Sequence, residues 1–260
     1  MCRFVAYIGE EALLIANLLV NPKNSLVKQS KSAHNDQHRV NADGFGMAWY
    51  NFKVNNEPAI FKSIQPAWND SNLISLSKTI ESKCFMGHIR ASTIGDVSNR
   101  NCHPFFYKEY TMVHNGTIDN FNKIRRSLME QLSDEFFLSI KGNTDSECLF
   151  FLIMEYVHSG SGMPLAEAIK KAFEWINNAQ DEADSSRLNI VITNGKEMIA
   201  TRFSSKDSKI LSLSYLKRND KSFIIASEPL DDHVNEWCEL PVNHYLSIKN
   251  NVNNIEVSPF

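Results

Sequence analysis

The chain opens with "MCRFVAYIG", Met1 to Gly9. The apolar run from Arg3 to Ile8, stopped by Gly9, reads as a core strand. Cys2 at its leading edge has two readings. It is a small residue at the start of a buried strand, or it is a nucleophile. Methionine ahead of a small residue is commonly removed, which would leave Cys2 first with a free α-amine. An α-amine with a reference pKa of about 7.7–8.0 accepts a thiol proton near neutrality. One residue would then supply both nucleophile and base. The stretch alone leaves both readings open.

The rest of the chain narrows the setting. Its 260 residues suit one large domain, and 43% of them are apolar, enough for a sizeable core. Lys and Arg number 27 against 30 Asp and Glu, a net charge of −3 with no long run of one sign. A dedicated nucleic-acid binder would show a basic surplus, so no nucleic-acid partner is expected. The mildly basic Lys28, Lys31, His34, His38 and Arg39 read as a solvated segment. No signal-peptide pattern and no membrane-length apolar run occur. Five scattered cysteines do not make a disulfide framework, and a reducing cytoplasm is the natural setting. Cys84, Cys148 and Cys238 sit in apolar surroundings and read as inert core thiols.

Strands are expected over Arg3 to Ile8, Phe45 to Phe52, Ala59 to Lys62, Cys84 to Arg90 and Tyr110 to His114. Leu188 to Thr193 and Glu197 to Phe203 flank Asn194-Gly195, the signature of a type I′ hairpin turn. Ile210 to Leu213, Ser222 to Ala226 and His244 to Ile248 complete the strands. Helical periodicity marks Glu11 to Leu19, Asp119 to Gln131, Ser146 to His158 and Leu165 to Asn177. Strands and helices do not alternate one for one, so a doubly wound sheet is disfavoured. An α+β arrangement of helices covering antiparallel sheets fits better. No repeat or low-complexity tract divides the chain, so a single domain over 1–260 is expected.

Five short motifs carry polar groups suited to chemistry, and each has a structural alternative. In "NADGFGMAWY", Gly44 and Gly46 leave backbone open to a substrate, or simply mark a bulge or hairpin entry. In "GHIRAST", Arg90 ends an apolar strand, where its fork could grip a carboxylate or pair with an internal Asp. In "VHNGTIDNF", Asn115 and Gly116 could aim two N–H donors at an oxyanion, or form a turn after a strand. In "GNTDSE", Asp145 could bind an ammonium group or cap a helix. His34 and His38 have helical spacing but lack the glutamate of a zinc-protease motif, and no metal is expected. Cys102-His103-Pro104 reads as a loop-shaping segment.

Taken in order, "MCRFVAYIG", "NADGFGMAWY", "GHIRAST", "NCHPF", "VHNGTI", "NTDSE" and "IIASEPLDD" resemble the class II glutamine amidotransferase domain. That domain is an N-terminal-nucleophile (Ntn) hydrolase, and the motifs are most similar to its stand-alone, single-domain branch. The resemblance spans nearly the whole chain. It implies a four-layer αββα sandwich of two mainly antiparallel sheets. It also implies hydrolysis of the γ-glutamyl amide of glutamine or a γ-glutamyl small molecule, without cofactor or metal. Met1 would be removed and Cys2 would attack. Asn115 and Gly116 would hold the oxyanion, Arg90 the α-carboxylate and Asp145 the α-ammonium. Thr93, His114, Gly44 and Phe45 lie in motifs that line the site. Many family members carry an aromatic residue where this chain has Ala91, so pocket size does not carry over. A separate ammonia-accepting or hydrolase partner protein and a homodimer both remain open. So do two alternatives: a non-catalytic Ntn-like subunit, and an Ntn amidase acting on a non-glutamyl amide.

Overall fold

The computed structural model describes residues 2–33, 40–92, 94–160, 162–206, 210–218, 221–233, 235–249 and 255–260. In chain order the strands are β1 (Arg3–Leu14), β2 (Phe45–Trp49), β3 (Ala59–Ser63), β4 (Glu81–Ile89), β5 (Phe105–Tyr107), β6 (Tyr110–Thr117), β7 (Arg187–Thr193), β8 (Glu197–Arg202), β9 (Ser214–Arg218), β10 (Ser222–Ala226), β11 (Cys238–Glu239), β12 (His244–Lys249) and β13 (Ile255–Pro259). The helices are α1 (Ala16–Leu19), α2 (Leu26–Lys31), α3 (Ser71–Ser77), α4 (Phe121–Met129), α5 (Asp134–Ser139), α6 (Asp145–His158) and α7 (Leu165–Ala179). One sheet runs β11-β9-β10-β1-β4-β2-β3 and the other β13-β12-β8-β7-β6-β5. Every strand pairing is antiparallel.

Three apolar layers explain the stacking. Phe4, Ala6 and Ile8 of β1 face the second sheet, against Val113, Val191 and Leu246. Val5 and Tyr7 face the other way, onto Leu18, Leu19 and Leu26 of the first helical layer. The opposite helical layer, α4 to α7, packs on Met112, Ile190 and Ile192. Successive strand residues point to opposite faces, so a strand buried on both reads as a continuous apolar run. That is what "FVAYI" is. Helix α6 is apolar nearly all round because it lies between a sheet and α7, with every residue from Asp145 to Met154 buried. The result is the expected α+β sandwich of two antiparallel sheets between helices.

Several local expectations differ. The helix expected from Glu11 is instead the second half of β1. A register shift between Ile8 and Leu13 throws Glu10 and Glu11 outward, and Leu13 and Leu14 rejoin Ser82 and Glu81 of β4. The spacing of apolar residues there came from this bulge, and only four helical residues follow. Asn194-Gly195 does join β7 to β8, but only Gly195 takes a positive φ, +82°. Asn194 Oδ1 accepts the N–H groups of Lys196 and Glu197 at 3.1 and 2.8 Å, so a longer Asx-type turn replaces type I′. Ile210 to Leu213 belongs to no strand, and β9 starts at Ser214. Cys84 and Cys148 are buried as expected, whereas Cys238 is exposed on the short edge strand β11. No helix among the described residues is long and apolar enough to cross a membrane.

Candidate active site

Cys2 is half-buried at the leading end of β1. Its Sγ lies 3.4 Å from the Ala91 N–H donor and 3.5 Å from the Ala91 carbonyl oxygen. Burial pushes the thiol above its ordinary value. The Ala91 N–H and the Arg90 guanidinium pull it back, and the Asp145 carboxylate raises it again. Cys2, Arg90 and Asp145 therefore share one electrostatic neighbourhood, although they are far apart in sequence.

The backbone behind the thiol is clamped. Arg3 Nη1 donates to the Cys2 carbonyl at 2.9 Å, and Arg3 Nε donates to Glu228 Oε1 at 2.7 Å. Both side chains of this ion pair are almost fully buried. One residue earlier, Ser227 Oγ accepts the Phe4 N–H at 3.0 Å, and the Asn115 amide Nδ2 approaches it to 3.5 Å. Ser227 thus ties Asn115 to the strand that carries the nucleophile. The sequence by itself assigns no role to Ser227 or Glu228. Their signal was the matched segment "IIASEPLDD", which gives no direction for either side chain.

Asn115 and Gly116 are not in a turn. They continue β6 opposite Asn189 and Leu188 of β7. Asn115 shares the inward face with Val113, which is part of the core between the sheets. The Leu188 N–H bonds to Phe203 on the far side of β7. By the alternation of an antiparallel ladder, Gly116 therefore points its N–H away from β7, beyond the last residue paired with β5. A Cβ on Gly116 would sit 1.9 Å from the Arg187 carbonyl oxygen, so this close approach admits only glycine.

Arg90 follows β4 and is nearly buried. Among the described residues it forms no ion pair with an Asp. Its guanidinium donates to the Ile94, Gly95 and Asp96 carbonyls at 3.0, 3.3 and 2.9 Å, and to Ser92 Oγ at 3.1 Å. Asp43 braces the same loop by accepting the Ser92 N–H at 2.7 Å. Gly44 has φ +104°, and a Cβ there would clash with Cys102 Sγ and the Ser63 carbonyl. The open backbone at Gly44 is thus filled by protein. The Phe45 side chain is buried in the helix-facing core against Phe61. Thr93, His34 and His38 lie outside the described residues.

Asp145 is the first residue of α6, and Thr144 is its cap, accepting the Glu147 N–H at 3.2 Å. Asp145 Oδ2 accepts the Ile118 N–H at 2.9 Å, and Oδ1 accepts the Ser146 N–H at 2.7 Å. The helix dipole favours a carboxylate at this end. His114 lies on the opposite face of β6 from Asn115. Its Nε2 faces the Arg187 carbonyl at 3.1 Å, and its Nδ1 faces Ser146 Oγ at 2.8 Å. A carbonyl can only accept, which assigns the proton to Nε2. Burial lowers the His114 pKa, with Asp145 opposing. The ring braces the start of α6 from behind.

Two further histidines stack beneath the site. The His88 and His103 rings are 4.1 Å apart and fully buried. Nδ1 of His88 and both ring nitrogens of His103 have no hydrogen-bond partner among the described residues. Burial pushes His88 down to about 3 and His103 well below its ordinary value. Both stay neutral when folded and charge near pH 6.5 when unfolded. Stability is therefore complete above about pH 6.5 and falls as the pH drops from there toward 3. Each imidazole costs about 1.4 kcal/mol per pH unit in that window. Urea unfolding at pH 6.5 and 5.5 should show a loss of about 2 kcal/mol, reduced in His103→Gln. No group of three His, Cys, Asp or Glu among the described residues could hold a metal.

The layered fold is that of the N-terminal-nucleophile hydrolases. The chain belongs to the class II glutamine amidotransferases, whose family model matches residues 14–220. It is 34% identical over 292 residues to the probable glutamine amidotransferase DUG3 of Saccharomyces cerevisiae, covering 96% of this chain and 82% of that one. It is 27% identical to the gamma-glutamyl-hercynylcysteine sulfoxide hydrolase of Mycolicibacterium smegmatis, with 96% of each covered. The solved structure of a glutamine aminotransferase class-II domain protein from Silicibacter pomeroyi superposes over 100% of this chain and 99% of that one, with a TM-score of 0.73 and 25% identity. Cys2 and the Ser227-Glu228 pair lie outside the span that the family model matches, whereas Arg90, Asn115, Gly116 and Asp145 lie within it.

Proposed function

We propose that the chain is a single-domain hydrolase of the γ-glutamyl amide bond in glutamine or a γ-glutamyl small molecule, with Cys2 as its nucleophile once Met1 is removed. The observation that carries this reading is the surroundings of Cys2 Sγ. The Ala91 N–H stands beside it, Asn115 is tethered to its strand, and Arg90 and Asp145 supply opposite charges nearby.

In the proposed reaction the Cys2 α-amine takes the thiol proton and the sulfur attacks the γ-carbonyl carbon. The negative charge moves to the carbonyl oxygen, where the Asn115 Nδ2–H and Gly116 N–H donate to it. The carbon–nitrogen bond then breaks, and the leaving nitrogen takes the proton from the α-ammonium. A γ-glutamyl thioester remains. Water, deprotonated by the same amine, cleaves it to glutamate and free thiol. Asp145 would bind the substrate ammonium. Arg90 has much of its fork committed to the 92–96 loop, so it would bind the α-carboxylate as a member of a preformed wall.

The two product fates, ammonia or a larger amine, are separated by measuring glutamate release from glutamine and from γ-glutamyl peptides. If an enzyme with a mass-confirmed N-terminal cysteine releases glutamate from none of them, the reading fails. Asn115→Ala should lower kcat by about 10²–10³-fold with KM nearly unchanged, because the donor acts on a charge that exists only after attack. A change confined to KM would remove Asn115 from this role.

A further inference from the structure

The edge strands β3 and β5 meet at one side of the sandwich, where Lys62 Nζ stands 5.3 Å from the centre of the Phe105 ring. Lys62 lies opposite Gly46 and two residues after Ile60, which packs on the core between the sheets. The alternation therefore turns a lysine inward at a position where an apolar side chain would be ordinary. No carboxylate among the described residues forms an ion pair with it. Burial lowers its pKa to about 8, while Cys102 and Glu147 oppose.

Beside Lys62 opens a cavity of about 470 Å³ between residues 99–108 and 139–151. Arg100 reaches it from the 3-10 turn Asn99–Asn101 and is exposed, with no hydrogen bond or ion pair among the described residues. Two other cations at the rim are engaged. Lys108 pairs with Glu135 at 3.7 Å, and Lys141 donates to the Leu138 carbonyl at 2.6 Å. The acid in the wall, Glu147, has both oxygens held by the N–H groups of Lys141 and Gly142, at 2.9 and 2.7 Å. It is one negative charge among four lining cations, Lys62, Arg100, Lys108 and Lys141, and among the described residues it forms no ion pair with Lys62 or Arg100. Phe105 and Tyr107, on one face of β5, and Phe151 of α6 give the cavity an aromatic wall.

We propose that this cavity is a second ligand site, binding an organic anion with a flat apolar body. The anionic end, a phosphate or carboxylate, sits between Lys62 and Arg100, and the body lies against Phe105 and Tyr107. A guanidinium fork beside an ammonium suits a phosphate or carboxylate, and the aromatic wall selects what that anion is attached to. An inward lysine also blunts an edge strand against pairing with another chain. That role requires neither the free Arg100 nor a cavity.

The test is calorimetric titration of the full chain with phenyl phosphate, benzoate, inorganic phosphate and phenol at pH 7. Phenyl phosphate or benzoate should bind at least tenfold more tightly than inorganic phosphate and than phenol, and the tighter of the two names the anion. Lys62→Met and Arg100→Ala should each weaken that binding about tenfold without changing glutamate release in the absence of the anion. The affinity should fall as the pH rises through about 8, where the Lys62 charge is lost, and Lys62→Arg should remove that fall. Equal binding of phenyl phosphate, benzoate and inorganic phosphate overturns the proposal, as does undiminished binding in the variants. Arg100→Ala alters only an exposed side chain, so it decides the matter even if Lys62→Met folds poorly.

Discussion

Replacing Cys2 by alanine is expected to abolish turnover, lowering kcat by about 10⁴-fold or more, while the fold and its melting temperature stay close to those of the parent. A nucleophile that forms a covalent intermediate has no substitute in the site, so its loss removes the whole pathway. The thiol is half-buried with weak sulfur contacts to Ala91, so its removal costs little packing. Cys2→Ser sharpens the result. It preserves the α-amine and offers a poorer nucleophile, and its rate should lie between the two. Retention of Met1 with Cys2 intact, in chain made without methionine removal, should silence the enzyme as fully as Cys2→Ala. Intact mass gives the state of the N-terminus, and glutamate release gives the rate. Appreciable turnover in Cys2→Ala would end the N-terminal-nucleophile reading.

The largest stability effect is expected at Glu228. Its carboxylate faces Arg3 at 2.7 Å, with both side chains hidden from solvent. Glu228→Ala leaves a buried guanidinium without its counter-charge, which costs about 3–5 kcal/mol. For a chain of this size that corresponds to a fall in Tm of roughly 6–15 °C. The double variant Arg3→Met/Glu228→Leu fills the same space without charge and should recover most of the stability. It should not recover the activity, because Arg3 Nη1 also holds the Cys2 carbonyl. Full activity in the stable double variant would show that the pair serves the fold alone.

The legibility of this molecule divides along physical lines. The strand from Arg3 to Ile8 could be read because burial on both faces leaves an unbroken apolar run. Helices α6 and α7 could be read from the spacing of their apolar residues. The start of α1 could not, because a β-bulge and a helical turn place apolar residues at similar intervals. Asn115-Gly116 misled in the same way. The pair is common in turns, but here the glycine answers to the Arg187 carbonyl of a neighbouring strand, a contact 71 residues away that no local pattern encodes. Arg90 was legible as an expensive charge in need of acceptors. Its acceptors proved to be three main-chain oxygens and the Ser92 hydroxyl, and backbone direction is set by the tertiary fold. Glu228 was invisible as a partner because 225 residues separate it from Arg3. The motifs could therefore be recognised one by one, whereas the ties between them could not.

The grip of Arg90 on its own loop has a consequence for how this protein can change over generations. Carbonyl oxygens are the same whatever side chain follows, so most of what the guanidinium reads is spacing. The stretch from Arg90 to Asp96 is measured like a ruler. Gly95, with φ +81° and the Asn143 side chain where a Cβ would go, is a fixed mark on it. Descendants of this chain are free to exchange Val97 on the outer surface, but a single insertion or deletion between 90 and 96 would break the loop and the arginine's placement together. Length there should be held far more strictly than residue identity.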